Sequence, residues 1–472
     1  MNTNLLKICY NYVYKKKFAA VKNMGESKHM QKIVINNLGA VKEFKSEITK
    51  YTVIIGEQGT GKSTIAKSIY YFRNIKTEII EYLLSIATTG SFVYEDEISN
   101  TLFPMSIKKK LKSIFIQLFG YSWDFSELKM SYDFGNGIDI KIDLVNNPKA
   151  AQNFINLEYS PKLKNEIVTL EQEMRKIYSK LKTNISGNLM FASQERTRLS
   201  REIAEKVNKI FDDDLDTFYI PAGRSLLTLM ANQKTRLDYN TIDLVNKNFM
   251  NLIESLQPNF DLGIDKVHEH FSMENQNSIA DSLSQMIIKN LKGNYKYIKG
   301  KEYLVVDENT SIPLNYASSG QQEMLWILNQ LYVLLLSKTK SFVIIEEPEA
   351  HLFPQLQKDI VDFISIFANL NNSTVFITTH SPYILTSANT LLYAGKLKKI
   401  SHEKSGEVTK LMGEHRYFSV NDFSAYLLSA DNPPENIFDS DICEITAEKI
   451  DEVSSKISEE YTKLFYLEEG TK

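Results

Sequence analysis

The chain has 472 residues, 43% of them hydrophobic and 24% charged, and its formal net charge is −3. This length is enough for two or three domains, and this composition is that of an ordinary globular protein. The nearly balanced charge excludes a general electrostatic attraction to nucleic acid, although it allows a local basic patch.

The cysteine count and the lengths of the apolar runs indicate the compartment in which we expect the protein. Cys9 and Cys443 lie far apart in the sequence, which excludes a cysteine metal cluster and fits a reducing compartment. The longest apolar runs, such as residues 331–336, fall far short of the ~20 residues that a membrane span needs. We therefore expect a cytoplasmic protein without a membrane partner.

Residues 1–29 lack the pattern of a folded segment. Residues 1–23 contain no acidic residue and several lysines. We interpret the segment as a disordered tail, or as an over-long gene model whose real start is Met24 or Met30. A targeting peptide is also basic and poor in acids, but it is usually richer in serine and arginine.

Residues 32–144 predict a strand, a glycine-rich loop, a helix and a hairpin. Residues 32–38 alternate like a strand, and the apolar run 52–55 leads directly into the loop. Residues 64–72 have a helical pattern. A phosphate-binding loop requires this order of strand, loop and helix. Residues 128–144 predict a β-hairpin with a Gly-Asn-Gly turn at its middle.

A heptad pattern then predicts a helix, and a second amphipathic run follows a polar break at residues 183–188. Two such helices form an antiparallel hairpin, each roughly 30 Å long. Two interpretations are open: an arm that docks a partner, and a helical subdomain packed on the body. The apolar positions are Leu163, Ile167, Leu170, Met174, Ile177 and Leu181 in the first helix and Leu199, Ile203, Val207 and Ile210 in the second.

Alternating strands and helices in the second half predict a mostly parallel α/β sheet. Residues 217–220 predict a strand that returns to this sheet, and Arg224 follows it, either to contact phosphate or to lock a loop with an acidic partner. Residues 226–292 are mostly helical in pattern, and the C-terminal region predicts an α-rich tail. The other predicted elements are strands at 303–306, 341–345 and 374–378 and a helix at 324–336.

The glycine-rich loop fits the phosphate-loop pattern G-x-x-x-x-G-K-S/T completely. Its glycines let backbone N–H groups face the phosphates, Lys62 reaches the β- and γ-phosphates, and Ser63 supplies an oxygen to Mg²⁺. The predicted nucleotide-binding residues are Gly56, Glu57, Gln58, Gly59, Thr60, Gly61, Lys62, Ser63 and Thr64.

Two carboxylates and a histidine follow the predicted strands. Glu346 would lie near the Mg²⁺ shell together with Ser63, and Glu347 would polarise the attacking water. Parallel strands bring such residues to the carboxyl edge of the sheet, where α/β folds bind ligands. His380 closes the next strand, where it could sense the γ-phosphate. We therefore predict Glu347 and His380 as catalytic residues and Ser63 and Glu346 as metal ligands.

These motifs resemble the ABC-type ATPase heads of the SMC and RecF group, and more closely the AAA-family ATPases allied to the OLD (overcoming lysogenization defect) nucleases. The resemblance covers about residues 32–395. It implies ATP and Mg²⁺ as cofactors, and it implies His380 as the switch histidine. The Walker B aspartate usual in the family is Glu346 here, which leaves the hydrolysis rate open.

The resemblance also identifies residues 316–323, Tyr-Ala-Ser-Ser-Gly-Gln-Gln-Glu, as an ABC-type signature, called the signature segment below. In the family, two heads dimerise head to tail, or form a higher oligomer, with each nucleotide between one phosphate loop and the signature of the other copy. Ser318, Ser319 and Gly320 would then cap the γ-phosphate in trans, with Gln321 beside them in the nucleotide site.

The resemblance implies the following organisation. The fold class is a P-loop NTPase of ABC-ATPase type with a mostly parallel sheet, an antiparallel β lobe and an inserted helical, short coiled-coil arm. The expected parts are the N-terminal tail (1–29), the first part of the ATPase head (30–155), the helical hairpin (156–214), the second part of the head (215–400) and the α-rich tail (401–472).

We expect no nuclease domain in this chain. OLD-type nucleases append a Toprim domain, whereas only about 90 residues follow His380. Asp439 and Asp441 have Toprim-like spacing but lack the preceding strand and an upstream glutamate strand. Stand-alone ATPases of this kind resemble the ATPase subunits of bacterial anti-phage systems, which work with a separately encoded effector nuclease.

The leading hypothesis is an ATPase whose nucleotide-driven dimerisation controls a partner effector in anti-phage defence. The wide interval between Lys62 and Gly320 argues against a transporter ATPase. A repair or recombination ATPase of RecF/SMC type that acts on DNA directly is an alternative, and so is an ATP-dependent scaffold with little turnover. The basic run 106–112 is compatible with a DNA contact or with a solvated helix face.

Overall fold

The structure is a computed structural model. It describes residues 30–94, 97–99, 103, 105–120, 127–145, 154–184, 189–231, 242–271, 277–446 and 458–464. The expected N-terminal tail therefore lies outside the described residues. In the part of the chain that is described, no helix is both long and apolar enough to cross a bilayer.

The helices and strands alternate along the chain. The α-helices among the described residues are α1 (Lys62–Thr89), α2 (Met105–Phe119), α3 (Pro161–Asn184), α4 (Leu189–Phe211), α5 (Arg224–Ala231), α6 (Leu244–Leu256), α7 (Asn277–Leu291), α8 (Ser319–Leu336), α9 (Pro354–Leu370), α10 (Pro382–Ile400) and α11 (His402–Met412). The strands are β1 (Gln31–Leu38), β2 (Val41–Ile48), β3 (Tyr51–Gly56), β4 (Phe92–Tyr94), β5 (Glu97–Ser99), β6 (Lys129–Gly135), β7 (Ile138–Val145), β8 (Phe154–Tyr159), β9 (Asp216–Ile220), β10 (Asn294–Ile298), β11 (Lys301–Val305), β12 (Ser311–Pro313), β13 (Ser341–Glu346), β14 (Thr374–Thr379), β15 (Phe423–Leu428), β16 (Glu435–Asn436), β17 (Phe438–Asp439) and β18 (Glu444–Ile445).

The central sheet has the strand order β16-β15-β3-β14-β13-β9. Its pairs are parallel except for the short edge strand β16. Every residue of β3 and β13 is buried, because helices cover both faces of a parallel sheet and its strands are therefore continuous apolar runs. The predicted mostly parallel α/β sheet is confirmed.

An antiparallel lobe accompanies this sheet, with the strand order β2-β1-β6-β7-β8. The hairpin of β6 and β7 turns at Gly135, Asn136 and Gly137, and all three have positive φ. Glycine adopts this backbone region without steric cost and asparagine tolerates it. The predicted Gly-Asn-Gly hairpin and the antiparallel β lobe are therefore present.

The helical hairpin of α3 and α4 packs on the body along α1. Leu163, Ile167 and Met174 of the heptad seam are buried in one hydrophobic core with Ile203 and Val207 of the second helix. The loop residues 185–188 lie outside the described part. Of the two interpretations left open by the sequence, the packed subdomain matches this burial, and the seam is not a free docking surface.

The C-terminal region differs from the α-rich tail expected for residues 401–472. α11 is followed by β15, which joins the central sheet parallel to β3 with Phe423 opposite Tyr51. β17 and β18 then form a small hairpin. Residues 402–412 and 458–464 are helical, but the expectation missed β15, because its pairing partner lies far upstream in the sequence. Such non-local pairing leaves no local signal.

Candidate nucleotide-binding site

The phosphate loop, residues 56–64, connects the buried end of β3 to the start of α1. Gly56 cannot be replaced without displacement, because an added Cβ would lie 2.3 Å from the carbonyl oxygen of Leu428 on β15. Gly61 has a φ of 94°, and its Cβ would lie 2.5 Å from Cγ2 of Val41. Close backbone approach and a left-handed conformation thus both require glycine in this loop.

Lys62 is folded back over the loop. Its Nζ donates to the carbonyl oxygens of Gly56 at 2.7 Å and Glu57 at 2.6 Å, and the residue is only 6% exposed. Burial lowers the pKa of Lys62, and the charges of Glu347 and Glu349 oppose that shift. A positive charge and a helix N-terminus therefore occupy the same loop, which is the combination that binds phosphate.

The two glutamates at the end of β13 have different surroundings. Glu346 is 5% exposed and accepts a hydrogen bond from the N–H of Ala222 at 3.2 Å through Oε2. Its buried Oε1 has no close donor, and the buried Tyr219 hydroxyl interacts with this carboxylate. Buried carboxylate oxygens are normally satisfied, and carboxylate oxygen is the ligand that Mg²⁺ prefers. The donor set of Glu346 and the exposed Ser63 hydroxyl therefore fits a magnesium ion.

Glu347 is turned towards His380. Its φ of 43° lies in the left-handed region, and its N–H donates to the carbonyl oxygen of Thr378 at 2.8 Å. One carboxylate oxygen, Oε1, lies 3.4 Å from Nε2 of His380, a contact that becomes an ion pair when the imidazole is protonated. Both side chains are about one third exposed, so a solvent-derived nucleophile can reach them.

Glu349 fixes the loop that carries His380. Its Oε1 accepts the His380 N–H at 2.7 Å and the Thr379 hydroxyl at 2.7 Å. Glu349 is not among the site residues predicted from the sequence. The signal in the sequence that could have identified Glu349 is its place two residues after Glu347. A turn there brings its carboxylate back to the end of β14.

The signature segment forms an exposed helix N-terminus. Ser318 caps α8: its Oγ accepts the Gln321 N–H at 3.3 Å, and the Gln321 side chain accepts the Ser318 N–H at 2.9 Å. Ser318 and Ser319 are exposed. A Cβ on Gly320 would lie 2.8 Å from the carbonyl oxygen of His351, so this helix start abuts the loop that follows the paired glutamates.

The structure brings the phosphate loop, Glu346, Glu347 and His380 to one edge of the central sheet, since β3, β13 and β14 are parallel neighbours that end there. The signature segment is separate. Both segments lie in the described part of the chain, and there no hydrogen bond or ion pair joins residues 318–321 to residues 56–64.

Arg224 locks a loop through an acidic partner, one of the two roles left open by the sequence. The side chain is fully buried, and its Nε lies 3.2 Å from Oε2 of Glu323 on α8. Its other nitrogens donate to the carbonyl oxygens of Pro221 at 2.7 Å, Glu346 at 2.6 Å and Glu347 at 2.8 Å. Burial lowers the pKa of Arg224, and Glu323 opposes that shift. Such a residue is not accessible to phosphate.

The central lysine of the basic run on α2 is paired with acidic residues. Lys110 forms ion pairs with Glu78 and with Glu81 of α1, the latter at 3.0 Å. Lys108 donates to Oδ1 of Asn156 at 3.4 Å. These contacts tie α2 to its neighbours and offset the central charge of the run.

Three comparisons with known proteins bear on this arrangement. The AAA ATPase domain family matches residues 29–385, which is more than half of the chain. The lipoprotein-releasing system ATP-binding protein LolD of Neorickettsia sennetsu is 30% identical over 91 residues, which are 19% of this chain. The match spans only 38% of that relative's length.

Solved structures of SMC heads are also similar to this chain. One is an SMC head bound to the C-winged helix domain of ScpA, with 12% identity and a TM-score of 0.35. The other is the SMC head domain from Thermotoga maritima, with 10% identity and a TM-score of 0.31. Each match covers 76% of this chain and 92% of the other chain.

Proposed function

The chain belongs to the AAA ATPase domain family, and we propose that it is an ATPase of ABC/SMC type in which two copies close head to tail around ATP and Mg²⁺. The observation that carries this proposal is the signature segment. It is a capped, exposed helix N-terminus without a hydrogen bond to its own phosphate loop. A helix N-terminus suits phosphate, so a second copy is the source of the nucleotide that it would contact.

In this proposal the phosphate loop, residues 56–64, binds the nucleotide, and the Lys62 ammonium leaves its carbonyl partners for the β- and γ-phosphates. Ser63 and Glu346 would hold Mg²⁺, and the ion would supply positive charge to the phosphate oxygens. A carboxylate oxygen of Glu347 accepts a proton from the attacking water, since this side chain is exposed at the strand end. His380 senses the γ-phosphate and Glu349 holds its backbone.

The signature residues complete the site of the other copy. Ser318 and Ser319 offer exposed hydroxyl groups, and Gly320 lets the start of α8 pack closely against the loop at His351. Gln321 is anchored by its side chain to the carbonyl oxygen of Leu291 at 2.7 Å, so it fixes the cap. ATP would therefore join the copies, and hydrolysis would release them.

A mixing experiment tests the composite site. Glu347→Gln removes the base from one copy, and Ser319→Arg blocks the signature of the other. A mixed dimer still contains one site with an intact Glu347 and an intact signature. We expect each variant alone to be inactive and the mixture to regain turnover. The matched control mixes Glu347→Gln with the double variant Glu347→Gln/Ser319→Arg, which cannot form an intact site. A mixture as inactive as its parts contradicts the head-to-tail arrangement.

We further propose that dimer closure controls a separately encoded effector nuclease in anti-phage defence. The support is the resemblance of the motifs to stand-alone ATPases of defence systems. The neighbouring gene and a phage challenge test it: wild type with its neighbour should reduce plaque counts, and Glu347→Gln should change that protection. Plaque counts unaffected by the pair contradict the defence role. Turnover stimulated by duplex DNA alone would favour the repair alternative.

A further inference from the structure

We propose that Arg224 and Glu323 are a positioning pair that couples the signature segment to the catalytic carboxylate Glu347 of the same copy. The proposal rests on the proposed function and concerns the regulation of its site. Neither residue can touch the nucleotide, since their side chains are 0% and 1% exposed. Their role is to transmit the position of α8 to the end of β13.

The first link joins Arg224 to the backbone of the catalytic residue. Its guanidinium donates to the carbonyl oxygens of Glu346 and Glu347 at 2.6 and 2.8 Å, and also to that of Pro221 at 2.7 Å. One planar group therefore holds the end of β13 against the loop after β9. A guanidinium spans several acceptors at fixed angles, which an ammonium cannot do.

The second link concerns the strained backbone of Glu347. A φ of 43° is unusual for a residue with a side chain, and such strain persists only where the surroundings hold it. The Glu347 N–H is held by the carbonyl oxygen of Thr378, and its C=O is held by Arg224. In this conformation the carboxylate lies 3.4 Å from His380. Arg224 thus holds the C=O of Glu347, one of the two backbone groups whose hydrogen bonds fix where the Glu347 carboxylate points.

The third link joins Arg224 to the signature. Glu323 follows Gly320 by one turn of α8, and its carboxylate accepts the N–H groups of Arg224 at 3.1 Å and Ser225 at 3.0 Å. The Glu323 carbonyl oxygen also accepts from Nε of Arg224 at 3.0 Å. The first turn of α8, the start of α5 and the end of β13 are therefore joined by hydrogen bonds that water does not reach.

The consequence is a dependence of each site on its partner's nucleotide. A phosphate seated on Ser318–Gln321 acts one helical turn from Glu323. A shift of that turn must either break the contacts to Arg224 or move Arg224 and the Glu347 carbonyl with it. Hydrolysis in one copy would then respond to occupancy in the other, which is a coupling between two sites.

The test uses Arg224→Lys and the isosteric Glu323→Gln. We expect the turnover number to fall by about tenfold or more with nucleotide affinity nearly unchanged, because the pair acts on the base and not on binding. The Hill coefficient for ATP should fall to about 1. The matched control is Arg73→Lys, a buried arginine paired with Asp213 away from the signature. It should keep its turnover and Hill coefficient at a temperature where it is folded.

The outcomes separate this proposal from the proposed function. Normal turnover and cooperativity in folded Arg224→Lys and Glu323→Gln overturn the coupling. The coupling is also overturned if Arg224→Lys and Arg73→Lys both lose turnover only in proportion to the protein that has unfolded. If Arg224→Lys does not fold, Glu323→Gln alone decides. Normal turnover in Ser319→Arg contradicts the head-to-tail function, whereas an inactive Ser319→Arg beside a normal Arg224→Lys contradicts only the coupling.

Discussion

Two fully buried arginines, Arg73 and Arg224, each contact one carboxylate but differ in their other partners. Arg73 on α1 lies 2.7 Å from Oδ2 of Asp213, donates to Gln31 at 2.7 Å and covers the ring of Phe342 at 4.1 Å. Arg224 mainly holds main-chain carbonyl oxygens and has the single acid Glu323. The first residue belongs to a closed ionic cluster, and the second lies at the sheet edge with the candidate nucleotide site.

The balance of charges distinguishes the cluster around Arg73, which stabilises the fold, from the cluster at the candidate nucleotide site. Around Arg73, Lys76 also contacts Asp213, at 3.7 Å, and donates to the carbonyl oxygens of Asp213 and Leu215. At the nucleotide edge the acids exceed the cations, because Glu346, Glu347 and Glu349 all act on Lys62. In the proposed function a divalent cation would balance these carboxylates, whereas Asp213 lies between the two cations of its own cluster.

The largest effect on stability is expected at the closed cluster. Asp213→Ala leaves Arg73 and Lys76 buried without their carboxylate, so the free energy of unfolding should fall by about 3–5 kcal/mol. Urea denaturation measures it. The remaining folded protein should bind nucleotide normally. A loss of nucleotide affinity larger than the loss of stability would break the distinction between the two regions.

The largest effect on activity is expected at the nucleotide edge. Lys62→Ala should lower turnover by about 10²–10³-fold, because a positioned charge on the transferring phosphoryl group is lost. The unfolding midpoint should change little. The matched control is Lys67→Ala, on the same helix and paired with Asp243 instead. Turnover of Lys67→Ala as low as that of Lys62→Ala would contradict the assignment.

The closed cluster should also make stability depend on pH. Burial would raise the pKa of Asp213, but the charges of Arg73 and Lys76 outweigh it and hold the pKa well below its ordinary range. Because the folded pKa is the lower one, this carboxylate stabilises the protein above the unfolded value, about 4, and the contribution is lost as the pH falls. The stability difference between wild type and Asp213→Asn should therefore shrink from neutral pH to about pH 3. A constant difference would contradict this pKa shift.

The smallest effect is expected at an exposed ring beside the signature. Phe353 is 74% exposed and follows Leu352, whose side chain approaches Gly320. Phe353→Ala should change the free energy of unfolding by less than about 0.5 kcal/mol, yet weaken the ATP-dependent dimer by about 1 kcal/mol. The control is Tyr393→Ala, an exposed aromatic in the second half of α10. Equal dimer affinities for both variants would contradict a contact at Phe353.

The core of the site is predictable from sequence because its signals are local. β3 leads into the loop that carries Lys62, β13 ends at Glu346, and His380 directly follows β14. The sheet then assembles them without further information, since parallel strands that are neighbours end at the same edge. The heptad of α3 was equally local, but a heptad alone does not tell a coiled-coil seam from a face packed on α1.

The remaining features depend on contacts between distant parts of the chain. The acidic run at 212–214 reads as the end of a helix, yet Asp213 is buried against Arg73, which lies far upstream. Glu323 is the last residue of the signature segment, and no periodicity in the sequence indicates that it pairs with Arg224. β15 was missed for the same reason. Partners so far apart are identified only when the fold brings them together.

The central claim, that ATP closes two copies head to tail, is tested most directly by the molar mass of Glu347→Gln in solution with and without ATP and Mg²⁺. We predict a dimer with ATP and Mg²⁺ and a smaller species without them, because the variant binds ATP and does not hydrolyse it. Adding Ser319→Arg should abolish that dimer. The same molar mass in both conditions, or a dimer that persists with Ser319→Arg, would contradict the account.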